Sequence, residues 1–180
     1  MICKSCSFQT PRLLVKEWHS LTPHDWTAPD LADVVAEILT ENVTRSLPPG
    51  WQGAYTRSRA VQWIEERDAE GTTLIVVARA TGSAVGLMIL SEAAPTDSAG
   101  VEIRLGYLLS EAAWGRGLAS ELVRGFVDWC RGHQVASVVG GVARENVASR
   151  RVLEKNGFIC DPSGQSGSPE EDLFRLALKP

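Results

Sequence analysis

A stripe of apolar residues in the middle of the chain constrains the fold more than any other feature of the sequence. Its members recur at intervals of three and four residues, which is the period of an amphipathic α-helix with one buried face. They are Leu118, Ala119, Leu122, Val123, Phe126, Val127 and Cys130. Apolar runs at residues 101–109 and 135–142 flank this helix and predict two strands. A helix between two strands places the chain in the α/β class.

The rest of the chain continues this mixture of strand and helix patterns. Further strands are predicted at residues 12–18, 73–80, 84–90 and 173–178 and near Phe158, and further helices at 31–39, 57–67 and 146–156. No repeat or linker divides the sequence, so we expect one domain over residues 1–180 with a mixed sheet. Residues 1–9 precede the first predicted strand and are expected to form a flexible tail.

Charge and hydropathy exclude several classes of protein. The chain has 18 Lys and Arg against 22 Asp and Glu, a net charge of −4, whereas a nucleic-acid binder usually has a basic excess. No apolar run approaches the ~18 residues of a membrane span, and the N-terminus lacks the apolar stretch of a signal peptide. We therefore expect a cytoplasmic protein without nucleic-acid or membrane partners.

The cysteines do not predict a metal or redox site. Cys3 and Cys6 form a CxxC pair, but a zinc site needs two more ligands, and the sequence has neither a second CxxC nor paired histidines. A redox CxxC normally lies between a strand and a helix, whereas this pair lies in the predicted tail. We expect no bound metal, and Cys130 as a small core residue.

The central helix begins with a glycine pair, Gly115 and Gly117, in the segment WGRGLASEL. Free N–H groups and the positive end of the helix dipole meet at a helix N-terminus, and glycine allows close approach to the backbone. These features predict a phosphate-binding loop. A dinucleotide fingerprint is disfavoured, because its third glycine is Ser120 here and no carboxylate stands near Gly140 and Gly141. A glycine turn without a ligand is the alternative at this point.

Two segments resemble the signatures of the GNAT superfamily of acyl-CoA-dependent N-acetyltransferases: GYLLSEAAWGRGLASELV and, about thirty residues from loop to loop, RENVASRRVLEKNGF. In that family the first signature, Q/R-x-x-G-x-G/A, binds the pyrophosphate of acetyl-CoA through backbone N–H groups. Trp114 stands here in place of Q/R, which is similar to the RimJ/RimL branch of ribosomal-protein N-acetyltransferases. The resemblance covers nearly the whole chain. It implies a mostly antiparallel central sheet flanked by about four helices.

The resemblance also implies which residues bind the cosubstrate, acetyl-CoA. The strand ending at Leu108 and Leu109 splays from its neighbour in the family, and its backbone binds the pantetheine arm and polarises the thioester. Asn146, which also suits a helix N-cap, binds the same arm. Arg151, in a basic patch with Arg150 and Lys155, suits the 3′-phosphate. The implied pyrophosphate loop comprises Trp114, Gly115, Arg116, Gly117, Leu118, Ala119 and Ser120.

Two residues are candidates for proton transfer. The tyrosine that protonates the leaving thiolate in many relatives falls on Leu153 here, so Ser149, on the same helix face as Asn146, is the candidate donor. Glu102 on the central strand is the candidate base, although Arg104 on the same face would lower its pKa. A helix serine and a surface carboxylate are the respective alternatives.

The resemblance implies transfer of an acetyl group to a primary amine. No cysteine has an evident histidine partner, which favours direct attack in a ternary complex over a covalent acyl-enzyme. The acceptor is a protein N-terminus or a small amine such as a polyamine or an aminoglycoside. A non-catalytic acyl-CoA-binding module is the alternative function, and a homodimer is common among similar proteins.

Overall fold

The fold is described from a computed structural model for residues 2–27, 30–93, 100–161 and 170–178. The strands in these residues are β1 (Ser7–Gln9), β2 (Leu13–Glu17), β3 (Thr72–Ala78), β4 (Ser83–Ala93), β5 (Val101–Leu109), β6 (Val135–Ala143), β7 (Ile159–Cys160) and β8 (Glu171–Ala177). The α-helices are α1 (Leu31–Ile38), α2 (Glu41–Thr44), α3 (Arg57–Glu70), α4 (Leu118–Arg131) and α5 (Val147–Lys155). None of these helices is long and apolar enough to cross a membrane.

The strands form one eight-stranded sheet in the order β1-β2-β3-β4-β5-β6-β8-β7. Neighbouring strands pair antiparallel except for β5 and β6, which pair parallel. Helix α4 connects these two strands, since a parallel connection needs a crossover. The mixed, mostly antiparallel α/β fold expected from the sequence is confirmed.

Each face of the sheet is covered by helices that bury one apolar stripe. On one face Val35 of α1 and Trp63 of α3 pack with Ile75 and Leu87 of the sheet. The opposite face carries α4 and α5, and its core includes Leu122, Val123, Phe126, Leu153, Leu74, Val76, Met88 and Ile103. The candidate site is a cavity whose walls come from elements on both faces of the sheet.

Side-chain caps explain where several helices begin. The Asp30 carboxylate accepts hydrogen bonds from the backbone N–H of Ala32 (2.8 Å) and Asp33 (3.3 Å) at the start of α1. Thr40 caps the short helix α2 by accepting from the Val43 N–H at 3.3 Å. The four residues of α2 are too few for a periodic pattern, so the sequence did not predict this helix.

The N-terminal segment differs from the expected flexible tail. Cys3–Ser5 form a 3₁₀ turn, and β1 pairs with β2. Phe8 packs against Phe126 of α4 with ring centroids 6.4 Å apart. The Cys3 N–H also donates to Glu92 Oε1 at 2.7 Å. The prediction was wrong because a three-residue strand gives too short an alternation to recognise.

The CxxC cysteines are core residues. Cys3, Cys6 and Cys130 lie in one hydrophobic cluster, each about 1% exposed or less. Burial raises the pKa of Cys3 to about 12, with a further contribution from Glu92, and a protonated thiol is a poor nucleophile. The described residues contain no group of three or more His, Cys, Asp or Glu that could hold a metal ion.

Candidate active site

A gap opens between β5 and β6 halfway along the two strands. Their parallel pairing runs from Val101↔Val135 to Arg104↔Val139 and then stops. Beyond that point β5 continues in register with β4 alone, and β6 continues in register with β8. The last residues of β5 therefore present a backbone edge that no described strand pairs.

The register identifies which backbone groups face the gap. The Ser110 N–H donates to the Val85 carbonyl at 2.9 Å, and hydrogen-bonded pairs alternate along an antiparallel ladder. Leu108, opposite Leu87, therefore directs its N–H and C=O toward β4, whereas Tyr107 and Leu109 direct theirs into the gap. The sequence predicted backbone roles for Leu108 and Leu109. The register keeps Leu109 and replaces Leu108 with Tyr107; of the two Leu109 groups, the N–H faces the gap without a strand partner, whereas the carbonyl accepts from Trp114 Nε1.

A loop with two left-handed glycines leads from β5 to α4. Gly115 has φ of 69° and Gly117, the N-cap of α4, has φ of 73° without a side-chain cap. A Cβ on Gly115 would meet no atom within 4 Å, and one on Gly117 would meet only the Arg12 Nη2 at 3.7 Å. The left-handed backbone conformation favours glycine at both positions, and the space over the loop is open. The first N–H groups of α4 consequently lack a capping side chain and suit an anion.

Trp114 and Arg116 play different parts in this loop. The Trp114 indole Nε1–H donates to the Leu109 carbonyl at 2.8 Å, while its ring stays 45% exposed at the cavity wall. This bond ties the loop to the end of β5. Arg116 does not line the cavity, and its carbonyl accepts from Arg12 Nη1 at 2.9 Å. Among the predicted loop residues, the structure leaves the Arg116 side chain outside the site.

The gap and the loop share one cavity of about 590 Å³. Its walls come from the end of β5, the glycine loop with the start of α4, the first turns of α5, and α2 with the turn after it. The lining residues include Tyr107, Leu108, Leu109, Trp114, Gly115, Gly117, Leu118, Ala119, Ser120, Asn146, Ser149 and Arg151. The structure thus brings together every predicted cofactor residue except Arg116.

Helix α5 contributes a cap and two cations to the cavity. The Asn146 Oδ1 accepts from the Ser149 N–H at 3.1 Å, which makes Asn146 the N-cap, while its side chain also lines the cavity. Arg151 and Lys155 line the same wall one turn apart. Arg150 instead forms an ion pair with Asp172. Only part of the predicted basic patch therefore faces the cavity.

The structure adds a hydroxyl group that sequence reasoning missed. Tyr107 lines the cavity beside Ser149, and its hydroxyl lies 3.5 Å from the Ser149 carbonyl oxygen. Burial raises the pKa of Tyr107 to about 12, and the Ser149 contact only partly offsets this. Leu153, one turn farther along α5, is buried in the core. Tyr107 alternates with Leu105 and Leu109 on one face of β5, and this pattern could have identified Tyr107 from the sequence.

The structure does not bring Glu102 into the cavity. It stands six residues before Leu108, about 20 Å along the strand, where β5 and β6 still pair. Its carboxylate accepts from Ser137 Oγ at 2.7 Å and from Arg175 Nη1. Partial burial alone would raise the pKa of Glu102, but these hydrogen bonds and the Arg175 charge outweigh it and lower the pKa. The expected base is thus an ion-paired carboxylate far from the site.

Comparison with known proteins identifies the fold. A family model described as an acetyltransferase (GNAT) domain matches residues 21–159. A GNAT-family acetyltransferase from Bacillus anthracis superposes with a TM-score of 0.73 at 16% identity, covering 96% of this chain and 98% of that chain. Ribosomal-protein-S5-alanine acetyltransferase from Vibrio fischeri gives 0.62 at 17% identity, covering 97% and 100%.

A third neighbour was solved with a ligand. RimL, a ribosomal L7/L12 α-N-protein acetyltransferase in complex with coenzyme A, has a TM-score of 0.68 at 13% identity, covering 94% of this chain and 96% of that chain. At these identities the structural likeness shows the fold alone. No curated protein matches the chain. The family model spans most of the chain, including the glycine loop and α5, and the chain therefore belongs to the GNAT family of acetyltransferases.

Proposed function

We propose that this enzyme transfers the acetyl group of acetyl-CoA to a primary amine by direct attack in a ternary complex. The observation that carries the proposal is the free backbone edge at Tyr107 and Leu109, which opens onto the same cavity as the glycine loop. An extended amide-containing arm fits the first feature and a pyrophosphate fits the second. When bound, acetyl-CoA supplies an activated acyl carbon and a thiolate leaving group.

Different residues around the gap would bind acetyl-CoA and activate its acetyl group. The N–H groups of Gly117 and the first turn of α4 would hold the pyrophosphate, and Arg151 with Lys155 would neutralise phosphate charge. Asn146 and the Tyr107 backbone would bind the pantetheine amides. The Leu109 N–H, directed into the gap, would donate to the oxygen of the reacting carbonyl, where negative charge develops.

Two hydroxyl groups are candidates to stabilise the departing thiolate. Ser149 is the candidate from the sequence, and Tyr107 lies beside it in the cavity wall. The long 3.5 Å contact to the Ser149 carbonyl leaves the Tyr107 proton weakly bound within the protein. Because a phenol is more acidic than an aliphatic alcohol and is protonated at neutral pH, Tyr107 is the stronger donor candidate of the two.

The described residues favour direct transfer over a covalent route. Cys3, Cys6 and Cys130 are buried in the core, Cys160 lies on the edge strand β7, and none of the four lines the cavity. Among the described lining residues there is no carboxylate or imidazole. The acceptor's proton would therefore pass to water, and kcat/KM should rise with pH up to the pKa of the amine itself.

We place the enzyme near the RimJ/RimL branch. The W-G-x-G-x-A pattern from Trp114 to Ala119 supports this placement, as do structural neighbours that are ribosomal-protein acetyltransferases. A protein N-terminus or a small amine is the proposed acceptor.

Acetyl transfer is tested directly with a panel of peptides and small amines. CoA release and acetylated product should appear in equal amounts, and an acceptor blocked at its amine should yield neither. CoA release that does not depend on the amine would contradict the proposal. Tight binding of CoA without transfer to any amine would identify the alternative, an acyl-CoA-binding module.

A further inference from the structure

The cavity has walls on both faces of the sheet, and each wall carries its own positive charge. The glycine loop and α5 form the wall on the α4 face, with Arg151 and Lys155. Helix α2 and the following turn form the other wall, where Val43 and Leu47 pack into the core cluster of the α1 face. Arg45 lines the cavity from this second wall.

Arg45 forms no salt bridge with any residue that the structure describes, but it lies close enough to Glu111 for its charge to lower the pKa of that carboxyl. Other arginines are anchored, as in the pairs Arg57–Asp30 and Arg175–Glu102. The nearby carboxylate of Glu111 is committed elsewhere, since its oxygens accept from Thr40 Oγ1 at 2.5 Å and Asn42 Nδ2 at 3.0 Å. Among the described residues, the Arg45 guanidinium therefore lines the cavity without a carboxylate hydrogen-bonded to it.

Glu111 lies outside the described cavity lining, so Arg45 has no negatively charged neighbour within that lining. The described lining residues include three cations and no carboxylate. A polycationic amine would need carboxylates to replace its hydration, whereas an anionic group beside the reacting amine would meet Arg45.

On the basis of the proposed acetyl transfer, we infer that the acceptor is a primary amine with a carboxylate close by. The cofactor enters along the glycine loop and α5, where Arg151 and Lys155 serve its phosphates. The amine approaches from the α2 wall, and Arg45 pairs with its carboxylate. Both an acidic peptide N-terminus and a free amino acid present this chemistry, whereas polyamines and aminoglycosides do not.

Three peptides that share an N-terminal alanine test this inference, with Glu-Glu, Gln-Gln or Lys-Lys as the next two residues. The wild-type enzyme should acetylate the acidic peptide with the highest kcat/KM and the basic peptide with the lowest. Arg45→Gln should lower kcat/KM for the acidic peptide about fivefold, with little effect on the Gln-Gln peptide. Arg45→Glu should reverse the order, and added salt should weaken the preference.

Two further comparisons distinguish a free amino acid from a peptide acceptor and test whether the effect is specific to Arg45. Alanine is compared with alaninamide at equal concentrations of free amine, and a preference for alanine over all peptides would assign a free amino acid as the acceptor. Arg131→Gln is the matched control, because Arg131 pairs with Asp128 on the exposed end of α4. It should leave all three peptides unchanged.

Several results would overturn the inference. Equal kcat/KM for the three peptides, or preference for the basic one, would refute the acceptor class. A higher KM for acetyl-CoA with every acceptor in Arg45→Gln would assign Arg45 to the cofactor. If no amine is acetylated, the proposed function fails, and peptide binding to the CoA-saturated protein is measured by calorimetry. Tighter binding of the acidic peptide, lost in Arg45→Gln, would still support the charge preference; equal or absent binding would overturn it.

Discussion

Substitution of Gly117 by alanine should separate the cost of backbone strain from the loss of a ligand site. Gly117 has φ of 73°, and a Cβ there would meet only Arg12 Nη2, at 3.7 Å. The variant therefore suffers left-handed strain without a clash, about 1–2 kcal/mol, which lowers Tm by roughly 2–8 °C in a domain of this size. Strain at this residue also displaces the N–H groups at the start of α4 that are proposed to hold the pyrophosphate. Losing one charge-assisted hydrogen bond costs about 1.5–3 kcal/mol, so CoA should bind about 10–100-fold more weakly.

Gly157→Ala is the matched control for this experiment. Gly157 has φ of 85°, and its added Cβ would lie 3.6 Å from Leu176 Cδ1, an ordinary contact away from the cavity. Thermal unfolding should show a similar loss of stability in the two variants, whereas titration calorimetry should show weaker CoA binding in Gly117→Ala alone. Unchanged CoA affinity in Gly117→Ala, or an equal loss in both variants, would refute the assignment of the loop.

Three further variants test individual side chains. Tyr107→Phe keeps the buried ring and removes the hydroxyl, so kcat should fall about 10–100-fold with KM for acetyl-CoA nearly constant; an unchanged initial rate would assign proton donation to another group. Arg151→Gln should weaken CoA binding about fivefold but leave dephospho-CoA unaffected in calorimetry, and equal losses would exclude contact with the 3′-phosphate. The pKa of Glu102 is lowered in the folded state, so the ionised carboxylate stabilises the fold through Ser137 and Arg175. This contribution to the free energy of unfolding is present above the pKa of the unfolded state and is lost as pH falls through the pKa of the folded state. Glu102→Gln should therefore lower Tm at pH 7, with a difference that shrinks below about pH 4, and should leave the pH profile of kcat unchanged; loss of activity at intact Tm would restore Glu102 as a base.

The sequence predicted the elements that have long, regular patterns. The apolar stripe of α4 and the run at residues 101–109 are long enough to give clear periods, and both elements lie where they were expected. Gly115 and Gly117 were singled out because a glycine pair at a helix start allows close approach to the backbone. The Asn146 cap followed from a local rule that needs no tertiary information.

Features that depend on pairing or long-range contacts could not be predicted in this way. Whether Leu108 or Tyr107 directs its backbone into the gap depends on the β4–β5 register, which no local pattern fixes. The same holds for Glu102, because its partner Arg175 is 73 residues away. Arg45 was overlooked since it follows a four-residue helix without a recognisable period.

The position of the gap follows from the way in which β5 and β6 divide the sheet. The strands are still close at Gly140, where an added Cβ would lie 3.2 Å from the Leu105 carbonyl oxygen. Beyond it, each strand keeps a complete ladder with its other neighbour, β4 or β8, and twist between neighbouring strands carries the two ladders apart. Because the pairing of β5 with β6 ends at Arg104, the Tyr107 and Leu109 N–H groups have no partner on a described strand. Buried backbone groups require partners, and an extended chain with amide groups, such as the pantetheine arm in the proposed function, would supply them at the position of an additional strand.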